Sequence, residues 1–531
     1  SLGLLFNSLF GFSRNSIFNA SIMLAFMIIP TIISMTLDSL NSVDPNVLTS
    51  SLAMGNSKTK SVYRVCKKAA KSGIVVAVVV AISRAIGESM AVSMILQSQP
   101  SSEIFQDGFF SLLNSSSQSL GAYISSTMFA DSDPEKIRPL LYAFGFIMLI
   151  FSMILNIFIM FISNSKRNIN SAKLKKIKVS ISNVVTFIPR NILIFLETIF
   201  FKSKFKINQN DLPETINYIK DRTKNYKFSG WYYRYKISLE MISVFICFSF
   251  LTWILGDILI NGLIATSKDS STIWQYSKNT VGQSLLNTIL LIMVCLVISF
   301  PIALLIAIYL NEYAKKGFLK KFIIFFLDSL SSTPSILFGM FGMLFFIQTL
   351  GMSSSGKLGN SLIAGALTII IVIIPTFIRL LEQSFKNIPD DIRTNAYSLG
   401  STKSETIKKL LIPMALISIT GNIISIIGRI LSETAPLYLT AGLSSSSDIA
   451  LNRPGTTLTT FIYAQLFSTS ANSKWVQYEA AMVAMILVFM LVIIGYVIIP
   501  SRDLIKNHFY QFKDYLFNKN RSEKQKEKEA I

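Results

Sequence analysis

Apolar runs of about 20 residues, separated by polar and mostly basic stretches, recur from Ile17 to Ile499. Coiled as a helix, a run of that length covers a bilayer core of roughly 30 Å. Lipid offers no partner to backbone N–H and C=O groups, so each run must pair its own and is read as a helix. With 51% hydrophobic and only 15% charged residues, the chain has too little polar surface for a soluble fold of this size. The net charge of +21 would point to nucleic acid in a soluble protein. Here the lysines and arginines collect between apolar runs, the pattern of loops held in the cytoplasm, so no nucleic-acid partner is expected. Cys66, Cys247 and Cys295 are too scattered for a disulfide framework or a thiolate metal site. His508, the one histidine, sits in a charged tail, and there is no Walker A loop. Neither a metal, nor a cofactor, nor catalysis by this chain is expected.

The chain repeats itself. Ile28-Ile29-Pro30-Thr31 matches Ile373-Ile374-Pro375-Thr376, and Thr49, Gly55, Lys58, Arg84 and Glu88 fall on Thr394, Gly400, Lys403, Arg429 and Glu433. The offset is constant and free of gaps (400 − 55 and 429 − 84 both give 345). Two copies of one membrane module are the simplest reading. Ser1 aligns with Phe346, deep in the second copy, so the first module is expected to be truncated at its N-terminus.

Residues 1–162 are read as the C-terminal part of the first module, 163–230 as a basic cytoplasmic linker, 231–500 as the second module and 501–531 as a charged cytoplasmic tail. Within the linker, Val184 to Phe201 is read as a helix lying on the inner leaflet, its flanking lysines favouring anionic membrane lipid. Placing both polar loops in the cytoplasm makes the repeats parallel, with a pathway expected between the modules. The run from Phe322 to Leu350 is broken by Pro334, where neighbouring hydroxyls can pair the freed backbone groups.

In each copy an apolar helix is followed by a polar loop and a second apolar helix. A glycine between two short helices permits a sharp turn, and so a knob that fits a groove on a soluble partner. The second loop keeps Ala396, Gly400, Leu410, Ile412 and Pro413 of a known pattern. It resembles the EAA loop of permease subunits in bacterial ABC importers. The first loop keeps Gly55 and Val65, with Thr49, Ser50 and Ser51 for the triplet and Lys67-Lys68 for Leu-Pro. The helix from Ser83 to Val92 looks like that of PstC-type phosphate permeases. The helix from Gly428 to Leu437 and the stretch Ile308 to Ala314 look like the PstA type.

The resemblance implies a type I (MetI-like) permease fold, import of inorganic phosphate, two copies of a separate ATP-binding subunit, and an extracellular phosphate-binding protein. It implies coupling to the ATPase through Thr49, Gly55 and Lys58 in one loop and Thr394, Ala396, Gly400, Lys403 and Pro413 in the other. Chemistry points the same way. An arginine within a bilayer span costs roughly 2.5–3.5 kcal/mol on insertion scales, which makes Arg84 and Arg429 functional candidates by default. Glu88 and Glu433 follow four residues later, so each pair lies on one helical face. A guanidinium offers a dehydrating phosphate a bidentate replacement for water, and each glutamate would hold its arginine between turnovers. The competing role is an ion pair that merely joins helices.

The expectation is therefore an all-α polytopic membrane protein of the plasma membrane, with two tandem permease modules serving phosphate import. The alternatives are a permease for another oxyanion, such as molybdate, sulfate or phosphonate, and an ion-coupled carrier or channel needing no ATPase.

Overall fold

The computed structural model describes residues 15–56, 60–88, 90–96, 115, 118–128, 134–164, 215–268, 271–277, 279–315, 317–352, 359–446 and 448–495. Val184 to Phe201, Lys58 and the charged tail lie outside them. All regular structure among the described residues is helical.

The helices are α1 (Ile17–Asn41), α2 (Pro45–Ala53), α3 (Lys71–Gly87), α4 (Met90–Ile95), α5 (Leu120–Thr127), α6 (Pro134–Asn164), α7 (Thr215–Thr266) and α8 (Val281–Ile308). They continue with α9 (Phe318–Ser331), α10 (Ser335–Gly342), α11 (Leu362–Lys386) and α12 (Asp390–Ser398). The last are α13 (Lys403–Ser432), α14 (Ala435–Thr440), α15 (Leu458–Leu466) and α16 (Ser473–Ile493). Among the described residues, seven helices are long and apolar enough to cross a membrane, or up to nine if each of two bent pairs counts as one span.

The chain divides into two compact units. One comprises Ser1–Thr31, Val79–Asn156 and Gly256–Ile531, the other Ile32–Val78 and Ile157–Leu255. In the larger unit α11 is the hub. Of its apolar window 67% is buried, against 0% in the span Ile237–Thr266 of α7. Ile369, Ile373 and Phe377 of α11 pack with Leu291, Cys295 and Ala303 of α8 and with Ile419 and Ile426 of α13. Two short helices come close because a glycine lets them: a Cβ at Gly339 of α10 would stand 2.9 Å from Pro436 Cα of α14.

The break at Pro334 is sharper than a kink, since α9 and the helix from Ser335 to Thr349 meet at 93°. Proline cannot donate to the preceding turn and its ring crowds that turn's carbonyl. Of the neighbouring hydroxyls, Thr333 donates to Ser329 O at 2.9 Å, while Ser331 and Ser332 donate to Asp328 O at 2.9 and 2.6 Å, a carbonyl that Ser332 N already meets at 3.2 Å. Further donors arrive from the other repeat. Ser83 and Ser152 Oγ reach Ser332 O at 3.5 and 3.3 Å, and Asn156 Nδ2 reaches Ser329 O at 3.4 Å. An apolar seam also joins the repeats within this unit, with Met90, Ile124, Met128 and Leu141 packed against Ile336, Met340, Tyr438 and Tyr463.

Candidate functional site

The arginines of the two copies are held alike. Arg84 on α3 donates from Nη1 to Thr31 Oγ1 of α1 at 3.0 Å. Arg429 on α13 donates from Nη1 to Thr376 Oγ1 of α11 at 2.7 Å. Each threonine follows the proline of its helix, Pro30 or Pro375, and the two contacts are related by the same offset as the sequence. The threonines were legible only as part of the matching tetrapeptides. Their role was not, because nothing in one sequence says which hydroxyl an arginine reaches.

The glutamates correct an expectation. They do not share a helical face with the arginines, because α3 ends at Gly87 and α13 at Ser432. Glu433 is extended, with φ −75° and ψ 123°. In the second copy the cause is Pro436, whose ring would collide with the Ser432 carbonyl if the helix ran on. In the first copy Ala91 stands at that position. There the Glu88 carboxylate accepts from Ala91 N at 3.4 Å and caps the next helix, α4. Glu433 still pairs with Arg429, Oε1 to Nε at 3.5 Å. Among the described residues Arg84 and Glu88 form no such pair, and Arg84 is exposed. The Glu433 carboxylate also feels the charges of Glu88 and Arg84, so the four groups share one locality. Gly87, just before Glu88, rests on the broken helix: a Cβ there would lie 3.3 Å from Pro334 Cα.

The loops carry the same turn. In the second, Leu399 N reaches Asn395 O at 3.1 Å, Gly400 N reaches Tyr397 O at 3.0 Å and Ser401 N reaches Ala396 O at 3.1 Å. In the first, Met54 N reaches Ser50 O at 3.1 Å, Gly55 N reaches Leu52 O at 2.9 Å and Asn56 N reaches Ser51 O at 3.4 Å. Gly55 and Gly400 have φ of +78° and +81°, a region that side-chain-bearing residues avoid. Each glycine follows a bare apolar tip, Met54 at 83% and Leu399 at 88% exposure. Thr49 and Thr394 tie back to their own helices through Asn46 O at 3.2 Å and Asp391 O at 3.0 Å, while Ala396 is buried inside the knob. Thr402 and Glu405 form a capping box that starts α13. Lys403 Nζ lies 4.7 Å from the centre of the Tyr313 ring.

Pro413 departs from its expected place at the end of the loop. It lies inside α13, where a π-helical turn, Ile407–Leu411, precedes it. Widening that turn lets the helix pass a residue with no N–H to donate. A π turn, Ser61–Cys66, also recurs in the first copy, where Lys68 replaces the proline, so the proline alone does not account for it.

Burial, and then the Glu312 charge, push the Tyr397 phenol above its ordinary range, with Arg393 opposing. Glu312 and Arg393 form a buried ion pair that the sequence did not announce. Among the described residues no group of three or more His, Cys, Asp or Glu side chains is placed to hold a metal ion.

A duplicated bundle of apolar helices, each copy with a threonine-held arginine and an exposed glycine turn, defines a multi-pass membrane permease. The chain belongs to the family described as "Binding-protein-dependent transport system inner membrane component", which it matches over residues 2–168 and 299–501. It is 39% identical over 488 residues to "Phosphate transport system permease protein PstA homolog" of Mycoplasma pneumoniae, covering 91% of this chain and 74% of that one. To the protein of the same description in Mycoplasma genitalium it is 38% identical over 522 residues, covering 96% and 80%. "Probable ABC transporter permease protein YqgI" of Bacillus subtilis is 29% identical over 225 residues, covering 39% of this chain and 74% of that one. A solved chain of the MetNI methionine ABC transporter, inward facing, is similar at 18% identity and a TM-score of 0.33, covering 42% of this chain and 93% of that one. The chain is thus a transport permease spanning the plasma membrane several times.

Proposed function

We propose that this permease imports inorganic phosphate, passing the anion between Arg84 and Arg429, and takes its energy from a separate ATP-binding subunit. Two copies of that subunit would dock on the Met54–Gly55 and Leu399–Gly400 knobs, and an extracellular phosphate-binding protein would deliver the anion. The observation that carries this reading is that the offset between the copies holds in three dimensions. The same turn, the same positive φ and the same arginine–threonine bond occur at both ends of it.

A threonine hydroxyl fixes a guanidinium without neutralising it. Both arginines therefore keep N–H donors for an oxyanion, with Arg429 also paired to Glu433 through Nε. The ion pair Arg429–Glu433 lies within one stretch of chain, so it does not serve to join distant helices. Instead Glu433 and Glu88 would compete with the anion for the arginines and let it leave. The choice of phosphate rests on the Mycoplasma relatives, both described as phosphate permease homologues.

The test is reconstitution in proteoliposomes with the ATP-binding subunit and the binding protein. ATP-dependent uptake of labelled phosphate, undiminished by excess molybdate or sulfate, is the expected result. Preferred uptake of another oxyanion would replace the substrate, and uptake persisting without the ATP-binding subunit would leave a carrier or channel instead.

A further inference from the structure

The second loop is fastened to the membrane helices by a buried charged clamp. Arg393 on α12 donates from Nε and Nη2 to Glu312 Oε1, each at 3.1 Å. Its Nη2 also reaches Phe385 O at the end of α11, at 2.8 Å. Its Nη1 reaches Ile388 O at 2.8 Å and Asp390 Oδ1 at 3.1 Å. The side chains are 12% and 4% exposed, and Asn311 Nδ2 donates to the same Glu312 oxygen at 2.6 Å. Glu312 and Tyr313 close the π turn Tyr309–Tyr313 that ends α8, and Lys403 beyond the knob lies over Tyr313. One end of α8 therefore holds the loop on both sides of Gly400. A planar guanidinium with its donors satisfied is a stiff fitting, unlike a solvated surface pair. In the first copy Leu48 occupies the position of Arg393.

We propose that the Glu312–Arg393 pair is the joint that carries movement of the second loop into α8 and α11, and so sets how much transport each ATP yields. This rests on the reading that the loop docks an ATP-binding subunit. The pair is a positioning device. It touches neither the anion nor the partner, because the docking tip, Leu399, lies on the exposed side of the knob. Movement enters at α12, crosses the clamp, and reaches the helix that presents Thr376 to Arg429.

The test uses the full complex in proteoliposomes, in a Leu399→Cys background that reports docking by cross-linking to the ATP-binding subunit. Glu312→Gln should leave cross-linking and ATP hydrolysis in place and lower phosphate moved per ATP by about tenfold, within the usual range of coupling between sites. Glu312→Asp, which keeps the charge, should recover most of the ratio, and Glu312→Gln with Arg393→Gln should be no worse than Glu312→Gln alone. An unchanged ratio in Glu312→Gln overturns the proposal, as does a fall in docking that lowers hydrolysis and uptake in proportion. If Glu312→Gln does not insert, Arg393→Lys, which keeps the charge and loses the fork, should show the same loss, and an unchanged ratio there overturns it equally. Failure of the Leu399→Cys parent to cross-link at all would instead remove the docking reading, and this joint with it.

Discussion

The first and second loops share a turn and differ in what holds them. Both end a short helix in an exposed apolar tip and a left-handed glycine. The first is stitched within itself by neutral side chains, Ser51 Oγ donating to Ser61 Oγ at 2.9 Å and Asn56 Nδ2 reaching Ser51 Oγ at 3.5 Å, and the Tyr63 hydroxyl of its π turn donates to Glu240 on α7. The second is bolted through Arg393 to Glu312. The shape of the knob has thus been kept in both copies while its mounting has diverged. Shape is what a partner's groove would read, whereas mounting decides how stiffly the helices follow.

The arginines repeat the contrast on a smaller scale, with like threonine bonds but, among the described residues, an ion pair on Arg429 alone. Removing them should give the largest effects. A hydrogen bond to a charged group contributes about 1.5–3 kcal/mol, so Arg429→Gln and Arg84→Gln should each lower phosphate uptake roughly 10- to 100-fold at unchanged membrane insertion. Arg429→Gln should be the worse, since it strands the Glu433 carboxylate; normal uptake in a well-inserted variant would remove the pathway role.

The turns should behave as equals. Valine in a left-handed conformation costs about 1–2 kcal/mol, so Gly55→Val and Gly400→Val should each cut co-purification of the ATP-binding subunit roughly 5- to 30-fold. A large effect at only one glycine would break the equivalence of the knobs. Smallest should be Thr31→Val and Thr376→Val. Each loosens an arginine's position but leaves the arginine itself in place, for a roughly 2- to 10-fold fall in uptake, about 0.5–1.5 kcal/mol. Matching falls would sharpen the comparison, and an effect confined to one copy would mean that the arginines do different work.

Much of this was legible in the linear chain, because lipid leaves few solutions. Run length declared the spans, Gly55 and Gly400 declared the turns, and a gap-free offset declared the duplication. The helix breaks before Glu88 and Glu433 were not legible. A four-residue spacing looks helical, and only Pro436, four residues after the last helical residue Ser432, hinted otherwise. Nor did Pro334 announce a 93° turn; carbonyls at the bend are met by Ser83, Ser152 and Asn156, which arrive from far along the chain. Arg393 was hidden for the opposite reason. A charge in a polar loop reads as solvated until a neighbouring helix is seen to bury it.

Everything depends on both knobs facing the cytoplasm. The direct measurement is thiol accessibility of Met54→Cys and Leu399→Cys, introduced singly after Cys66, Cys247 and Cys295 are replaced, using a membrane-impermeant reagent on right-side-out and inverted vesicles. Both thiols should react in inverted vesicles and stay silent in right-side-out ones. Reaction of either from the outer face would contradict the account.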